Sequence, residues 1–134
     1  MFKFPMTFLN PPILKTGQGT IPKIINLTKN KILAEDVILS TSFLKRLTGL
    51  LGYKSLEKNQ AMILQPANSV HTFFMRFPID VLFVDRNNIV IKTVSNMVPF
   101  RATAIYFKSL VVIELPSGMI STTQTAEGDY LQIQ

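Results

Sequence analysis

Short apolar runs rich in β-branched residues recur along the chain and are separated by turn-forming residues. The runs that predict strands are Lys23–Thr28, Ile32–Ser40, Ala61–Gln65, Ile79–Val84, Ile89–Val94, Leu110–Leu115 and Tyr130–Ile133. About seven short strands at this spacing are typical of a small sandwich or barrel. The pattern therefore predicts a mainly β fold.

Two neighbouring runs predict a hairpin. Ile79–Val84 and Ile89–Val94 flank the tetrapeptide Asp85-Arg86-Asn87-Asn88. Asparagine tolerates the positive φ of a tight turn, so Asn87-Asn88 suits the connection between two strands.

Two other segments are less clear from their pattern. Within Ile32–Ser40, Leu33-Ala34-Glu35 also suits a helix, whereas Val37-Ile38-Leu39 favours a strand. We predict a strand for the whole run. The apolar segment Ser69–Met75 is read as extended.

One or two short helices complete the predicted fold. Apolar residues at three-and-four spacing predict a helix near Thr41–Leu51. The apolar stripe of that helix consists of Phe43, Leu44, Leu47, Leu50 and Leu51. A short helical turn is predicted at Met119–Thr123.

Proline divides the chain into two regions. Residues 1–22 hold four of the eight prolines, which break helices and central strands. This region is predicted to be an irregular N-terminal arm, followed by one β-rich domain at 23–134. A chain of 134 residues fits a single domain.

Composition excludes several classes of protein. With 47% hydrophobic and 16% charged residues, the chain is too apolar to be disordered. It has no cysteine, which excludes disulfides and thiolate zinc sites. No apolar run approaches the roughly 20 residues of a membrane span. Pro5 interrupts the apolar opening, so we expect no export signal and a cytoplasmic location.

The positive charge lies in the first part of the chain. The formal net charge is +6, and through Lys58 nine basic residues face three acidic ones. The lysines at 3, 15, 23, 29 and 31 are scattered, which favours an ordinary solvated surface over a binding patch. Binding to nucleic acid or to an anionic surface is the alternative.

Two acids lie inside apolar strands. Asp80 shares a strand face with Leu82, and Glu114 shares one with Val112. An unpaired buried carboxylate is costly, so each acid is expected to have a partner or to line a pocket. The candidate partners are Arg46, Arg76, Arg101 and His71.

No known catalytic or metal-binding motif accompanies these acids. His71 is the one histidine, and a usual zinc site needs three or four ligands. We therefore predict no metal and no cofactor. The sequence also lacks a nucleophile elbow, a phosphate loop and a His-Glu-x-x-His helix. Met75 and the pair Phe73-Phe74 are read as core or as pocket wall.

Four segments, in order, resemble the family called domain of unknown function 192. They are Arg46-Leu47-Thr48-Gly49-Leu50-Leu51-Gly52, the run from His71-Thr72-Phe73-Phe74-Met75 to Asp85, Glu114-Leu115-Pro116-Ser117-Gly118 and Glu127-Gly128-Asp129. The resemblance covers roughly Asn26 to Gln134. It implies a small barrel or jelly-roll-like sandwich, and it implies no activity.

The sequence departs from the family pattern at three positions. Leu51 stands where methionine is usual, and Ser117 stands where alanine is usual. Ser117 is therefore a poor candidate for a nucleophile. Ala67 stands where some relatives have cysteine, so no thiol chemistry is available there.

These observations favour a non-catalytic binding module for a small ligand or an extended peptide. Binding of nucleic acid or an anionic surface through the basic N-terminal half is one alternative. A hydrolase with His71 as base and Asp80 as its orienting group is another. The chain is expected to be a monomer or a weak homo-oligomer.

The candidate ligand-binding residues are Arg46, His71, Met75, Asp80 and Glu114. We predict that Arg46, His71 and Asp80 surround one concave site with Glu114 nearby. The guanidinium of Arg46 would offer a bidentate partner to the Asp80 carboxylate.

Overall fold

The computed structural model describes residues 22–40, 50 and 53–134. Nearly all of the predicted N-terminal arm lies outside these residues. The predicted helix near Thr41–Leu51 also lies outside them, apart from Leu50, and so does Arg46.

The described chain forms two sheets, and neither closes into a barrel. In order, the elements are β1 (Ile24–Asn26), β2 (Lys31–Ala34), β3 (Asp36–Ser40), β4 (Gln60–Leu64), β5 (Ile79–Asp85), β6 (Val90–Met97), β7 (Ser109–Pro116), α1 (Met119–Thr123) and β8 (Leu131–Ile133). The smaller sheet has the order β2-β1-β8, and the larger has the order β3-β4-β7-β5-β6. The predicted mainly β class is confirmed, in its sandwich-like form.

The predicted hairpin is β5 with β6, and its turn is held by one carboxylate. Oδ1 of Asp85 accepts hydrogen bonds from the backbone N–H of Asn87 at 2.8 Å and of Ile89 at 3.0 Å. Asn88 adopts a φ of 64°, a conformation that asparagine tolerates better than most residues. The tight turn that the sequence predicted is therefore confirmed.

The run Ile32–Ser40 forms two strands in different sheets, where one strand was predicted. β2 ends at Ala34 and β3 begins at Asp36. Between them, the backbone N–H groups of Glu35 and Asp36 both donate to the carbonyl of Asn59, each at 3.1 Å. This distant carbonyl satisfies the two donors where the chain leaves one sheet for the other.

The segment Ser69–Met75 forms no strand, which corrects the prediction of extended structure. It contains an isolated bridge between His71 and Ala102 and a turn at residues 73–74. Its backbone groups bond to the loop before β7 instead of to a sheet.

The larger sheet is buried on both faces. The intersheet cluster packs one face against the smaller sheet and includes Ile24, Leu33, Leu131, Ile63, Leu82 and Ile113. The opposite-face cluster includes Leu50, Met62, Val81, Phe83, Met97 and Val112. Burial of both faces explains why β5 and β7 read as continuous apolar runs.

Among the described residues, no helix is long and apolar enough to cross a membrane.

A buried polar network holds the smaller sheet to the turn before β8. Asp129 accepts hydrogen bonds from Asn26 Nδ2 at 2.9 Å, from Lys29 Nζ at 2.8 Å and from the backbone N–H of Ala126 at 2.9 Å. Burial alone would raise the pKa of Asp129. The hydrogen bonds from Asn26, Lys29 and Ala126, together with the Lys29 charge, outweigh burial and lower that pKa below 3.8.

Candidate functional site

Glu114 lies in the middle strand of the larger sheet, within an otherwise apolar row. Strand register aligns one residue from each strand, in the order Ile38, Met62, Glu114, Val81 and Val94. Residues directly opposite each other point to the same face of a sheet. The four apolar members of the row all pack in the opposite-face cluster, so the Glu114 carboxyl faces that cluster.

The Glu114 carboxyl is buried without a bonding partner among the described residues. The residue is 3% exposed, and its Oε1 accepts no hydrogen bond from the described part of the chain. Burial raises the pKa of Glu114 from 4.5 to about 8, because a low-dielectric environment disfavours the charged form. At neutral pH the group is mostly a neutral acid that can both donate and accept a hydrogen bond.

Asp80 is also buried, but backbone amides satisfy its carboxylate. Oδ1 accepts the N–H of Asn96 at 2.8 Å, and Oδ2 accepts those of Gly118 at 3.1 Å and Ile120 at 2.7 Å. The carboxylate thus joins the end of β6 to the first turn of α1. This arrangement is typical of an acid that holds loops in place.

The structure separates the two acids that were predicted to lie near each other. Asp80 pairs with Leu115, and its neighbour Val81 pairs with Glu114. Since successive strand residues point to opposite faces, Asp80 faces the intersheet cluster and Glu114 faces the opposite-face cluster. Arg76 and Arg101 are exposed, and neither forms a hydrogen bond or ion pair with the two acids. The predicted pairing of Arg46 with Asp80 lies outside the described residues and stays a prediction.

His71 and Met75 occupy different environments within one loop. Met75 is 7% exposed and packs in the opposite-face cluster, on the side of the sheet where Glu114 lies. His71 is partly exposed; its Nδ1 accepts the backbone N–H of Phe73 at 3.2 Å, and its ring stacks on Phe73 at 5.1 Å. No hydrogen bond joins His71 to Asp80. Met75 is therefore the predicted site residue that the structure places on the Glu114 face.

This loop and the neighbouring loop at residues 98–109 together carry exposed phenylalanines that the sequence pattern did not reveal. Phe73 is 41% exposed, Phe74 72% and Phe100 55%, so reading Phe73-Phe74 as core was wrong, whereas the reading as pocket wall stays a prediction. Phe74 and Phe100 pack edge to face, with ring centroids 5.3 Å apart. We call Phe73, Phe74 and Phe100 the aromatic tip. The adjacent pair Phe73-Phe74 was the sequence feature that could have indicated this surface, but whether the two rings are exposed depends on the loop conformation.

The backbone holds two of these residues in an unfavourable conformation. Phe74 has a φ of 64° and Phe100 a φ of 65°, where a bulky side chain crowds its own backbone. Thr72 anchors both turns: its hydroxyl donates to Val98 O at 2.7 Å and accepts the N–H of Arg101 at 3.0 Å. Strain of this kind clusters at functional sites.

Phe74→Asn should leave stability unchanged or raise it by up to about 1 kcal/mol. Asparagine adopts this conformation more readily than phenylalanine, and a side chain that is 72% exposed loses little burial. Chemical denaturation of both proteins measures the difference. A loss of more than about 1 kcal/mol would mean that the Phe74 ring stabilises the loop.

Two lysines of the basic N-terminal half are paired with acids. Lys23 Nζ lies 3.7 Å from Glu35 Oε2, and Lys29 Nζ lies 2.8 Å from Asp129 Oδ2.

Among the described residues, no group of three or more histidines and acids could hold a metal ion.

The two sheets, the short helix and the buried acid define a small sandwich-like β module. The model of the family domain of unknown function 192, described as an uncharacterized group, matches residues 24–133. The chain belongs to this family, which confirms the resemblance inferred from the sequence motifs.

Curated relatives carry only the family designation UPF0127. One from Thermococcus kodakarensis is 35% identical over 115 residues and covers 81% of this chain and 71% of the relative. One from Pyrococcus horikoshii is 31% identical and covers 81% of this chain and 96% of the relative. Their names assign no activity.

Two solved structures share the fold. A protein of unknown function from Novosphingobium aromaticivorans has a TM-score of 0.74 at 18% identity, covering 98% of this chain and 99% of that chain. A protein from Sinorhizobium meliloti, described as a proposed transcription regulator, has a TM-score of 0.70 at 19% identity, covering 84% of this chain and 91% of that chain. At these identities the likeness shows the fold alone.

Proposed function

We propose that the protein is a non-catalytic binding module for small molecules, and that Glu114 contacts the ligand. The observation that carries the proposal is the buried Oε1 of Glu114, which lies in an apolar row of the larger sheet and has no partner among the residues that the structure describes. Buried polar atoms nearly always have a partner. A ligand that supplies a donor would satisfy this oxygen.

The surroundings of Glu114 favour a mostly apolar ligand with one uncharged polar group. Met62 and Val81 flank the carboxyl in the row, and Met75 packs in the same cluster. Methionine side chains adapt their shape to a guest. The neutral acid can donate to one atom of an amide and accept from another, so amides and alcohols fit best. An extended peptide presents the same amide group.

The two alternative functions have less support. Both oxygens of Asp80 bind backbone amides, and Nδ1 of His71 accepts from Phe73. A base with an orienting carboxylate would need a bond between these two side chains. Binding of nucleic acid has less support because Lys23 and Lys29 are paired with acids, which reduces the positive charge that the N-terminal half can offer to phosphates.

A thermal-shift screen at neutral pH tests the proposal. The probes are pools of uncharged amides and alcohols, and a separate pool of short peptides. A compound that binds only the folded state raises the melting temperature. We expect such a compound to raise the melting temperature of the wild type and of Glu127→Gln, the control variant, in which an exposed acid is replaced. The rise should disappear in Glu114→Met.

The same compounds should lose affinity when the pH exceeds the Glu114 pKa of about 8. Ionisation removes the donor and places a charge among apolar side chains. Two results would contradict the proposal: no pool raises the melting temperature, or the active compounds stabilise Glu114→Met as much as the wild type.

A further inference from the structure

Two loops, residues 67–77 and 98–109, run side by side and end at the aromatic tip. Backbone hydrogen bonds join Ala67 to Leu110, Asn68 to Tyr106, Val70 to Thr103 and Thr72 to Arg101. These bonds and the Thr72 hydroxyl fix the pair of loops along its length. The conformation of the tip is therefore fixed by hydrogen bonds between the two loops.

The loop pair exposes apolar side chains along its length. Besides the aromatic tip, Ile105 is 54% exposed and Phe107 is 84% exposed. Large apolar side chains that cluster on exposed loops mark interaction surfaces. At the tip, Phe74 and Phe100 adopt a strained backbone conformation, with φ of 64° and 65°.

The charge on these loops has one sign. Residues 67–77 and 98–109 contain Arg76, Arg101 and Lys108 and no aspartate or glutamate. All three cations are exposed, and Arg101 Nη1 donates to the carbonyl of Phe100 within the tip. Positive charge beside exposed phenylalanine rings complements a surface that carries negative charge on its outside and has an apolar layer beneath that charge.

We propose that the aromatic tip docks on an anionic phospholipid surface, with Phe74 and Phe100 inserted among the lipids and Arg76 and Arg101 on the headgroup phosphates. Aromatic rings partition to the membrane interface, and cations near an anionic leaflet add attraction. This proposal rests on the exposed side chains of the tip and not on the proposed ligand site at Glu114.

Ring geometry favours a lipid over single-stranded nucleic acid. A base stacks on an open aromatic face. In the tip, Phe74 and Phe100 meet at an interplanar angle of 71°, and His71 stacks on Phe73 at 24°. The edge-to-face pair of Phe74 and Phe100 offers no two parallel ring faces on which successive bases could stack, and these largely exposed rings suit insertion into an apolar layer.

Co-sedimentation with vesicles tests the proposal. The probes are phosphatidylcholine vesicles with and without about 30% phosphatidylserine. We expect the wild type to bind the anionic vesicles, and high salt to weaken that binding. Phe74→Ser with Phe100→Ser, and separately Arg76→Gln with Arg101→Gln, should each reduce partitioning roughly tenfold or more.

Ile32→Ser is the matched control, because Ile32 is 49% exposed on the smaller sheet, away from the two loops. It should bind like the wild type. Melting temperatures show that each variant is folded, and Phe74→Asn supplies a second folded variant that should lose binding. The proposal is overturned by any of three results: no binding to anionic vesicles, undiminished binding by the phenylalanine variants, or retention of an RNA oligonucleotide that depends on the arginines alone.

Discussion

Glu114→Met should stabilise the folded protein at pH 8 by about 2–5 kcal/mol. The folded-state pKa of Glu114 is about 8, against an ordinary value of 4.5. Below 4.5 both states are protonated, and the folded state keeps its full stability. Between 4.5 and about 8 the unfolded chain releases the proton that the folded chain retains. Stability therefore falls by ~1.4 kcal/mol per pH unit across that window.

Urea denaturation over a range of pH measures this effect. The wild type should lose stability as the pH rises towards 8, whereas Glu114→Met should lose much less. Methionine also matches the neighbouring Met62 in character, so the row becomes apolar throughout. Glu127→Gln should keep the wild-type pH dependence. Parallel curves for the wild type and Glu114→Met would show that Glu114 ionises freely in the folded protein.

Asp80→Ala should destabilise the protein by about 3 kcal/mol. Three backbone N–H groups, those of Asn96, Gly118 and Ile120, would lose a charged acceptor at once. The bonds from Asn96 and Gly118 are partly buried, so water can replace them more readily than it can replace the buried bond from Ile120. Asp80→Asn should cost less, since the amide oxygen still accepts one or two of these bonds.

Denaturation of Asp80→Ala at neutral pH checks this prediction. Asp36→Ala is the control, because its exposed carboxylate accepts one hydrogen bond from Gln60 Nε2 at 3.1 Å, and it should cost less than about 1 kcal/mol. A loss below that value for Asp80→Ala would mean that its three bonds contribute little, and would reopen a role for Asp80 in binding.

The sequence pattern predicted most strands because their determinants are local. Short apolar runs rich in β-branched residues and the Asn87-Asn88 turn predict β5 and β6 without any distant contact. The break at Glu35 was not predictable in this way, since it depends on the carbonyl of Asn59. The loop at residues 69–75 likewise takes its conformation from residues 98–103, which no local pattern reveals.

The candidate site was predictable only in part. An acid within an apolar strand is visible in the sequence, and both Asp80 and Glu114 are indeed buried. Their partners were not visible: Asp80 bonds to amides 16, 38 and 40 residues away, and described cations pair with neither acid. The opposite orientation of the two acids follows from the register of β5 with β7, which composition and spacing leave open.

The position of β1 has a consequence for synthesis of the protein on the ribosome. β1 is translated well before β8, yet one of its edges pairs with that strand, and Asn26 bonds to Asp129, 103 residues further on. Until residues 131–133 have been made, that edge is free to pair with other chains, and the closure of so long a loop slows folding. Premature termination before β8 would therefore release a product with an unpaired β1 edge, which is prone to aggregate.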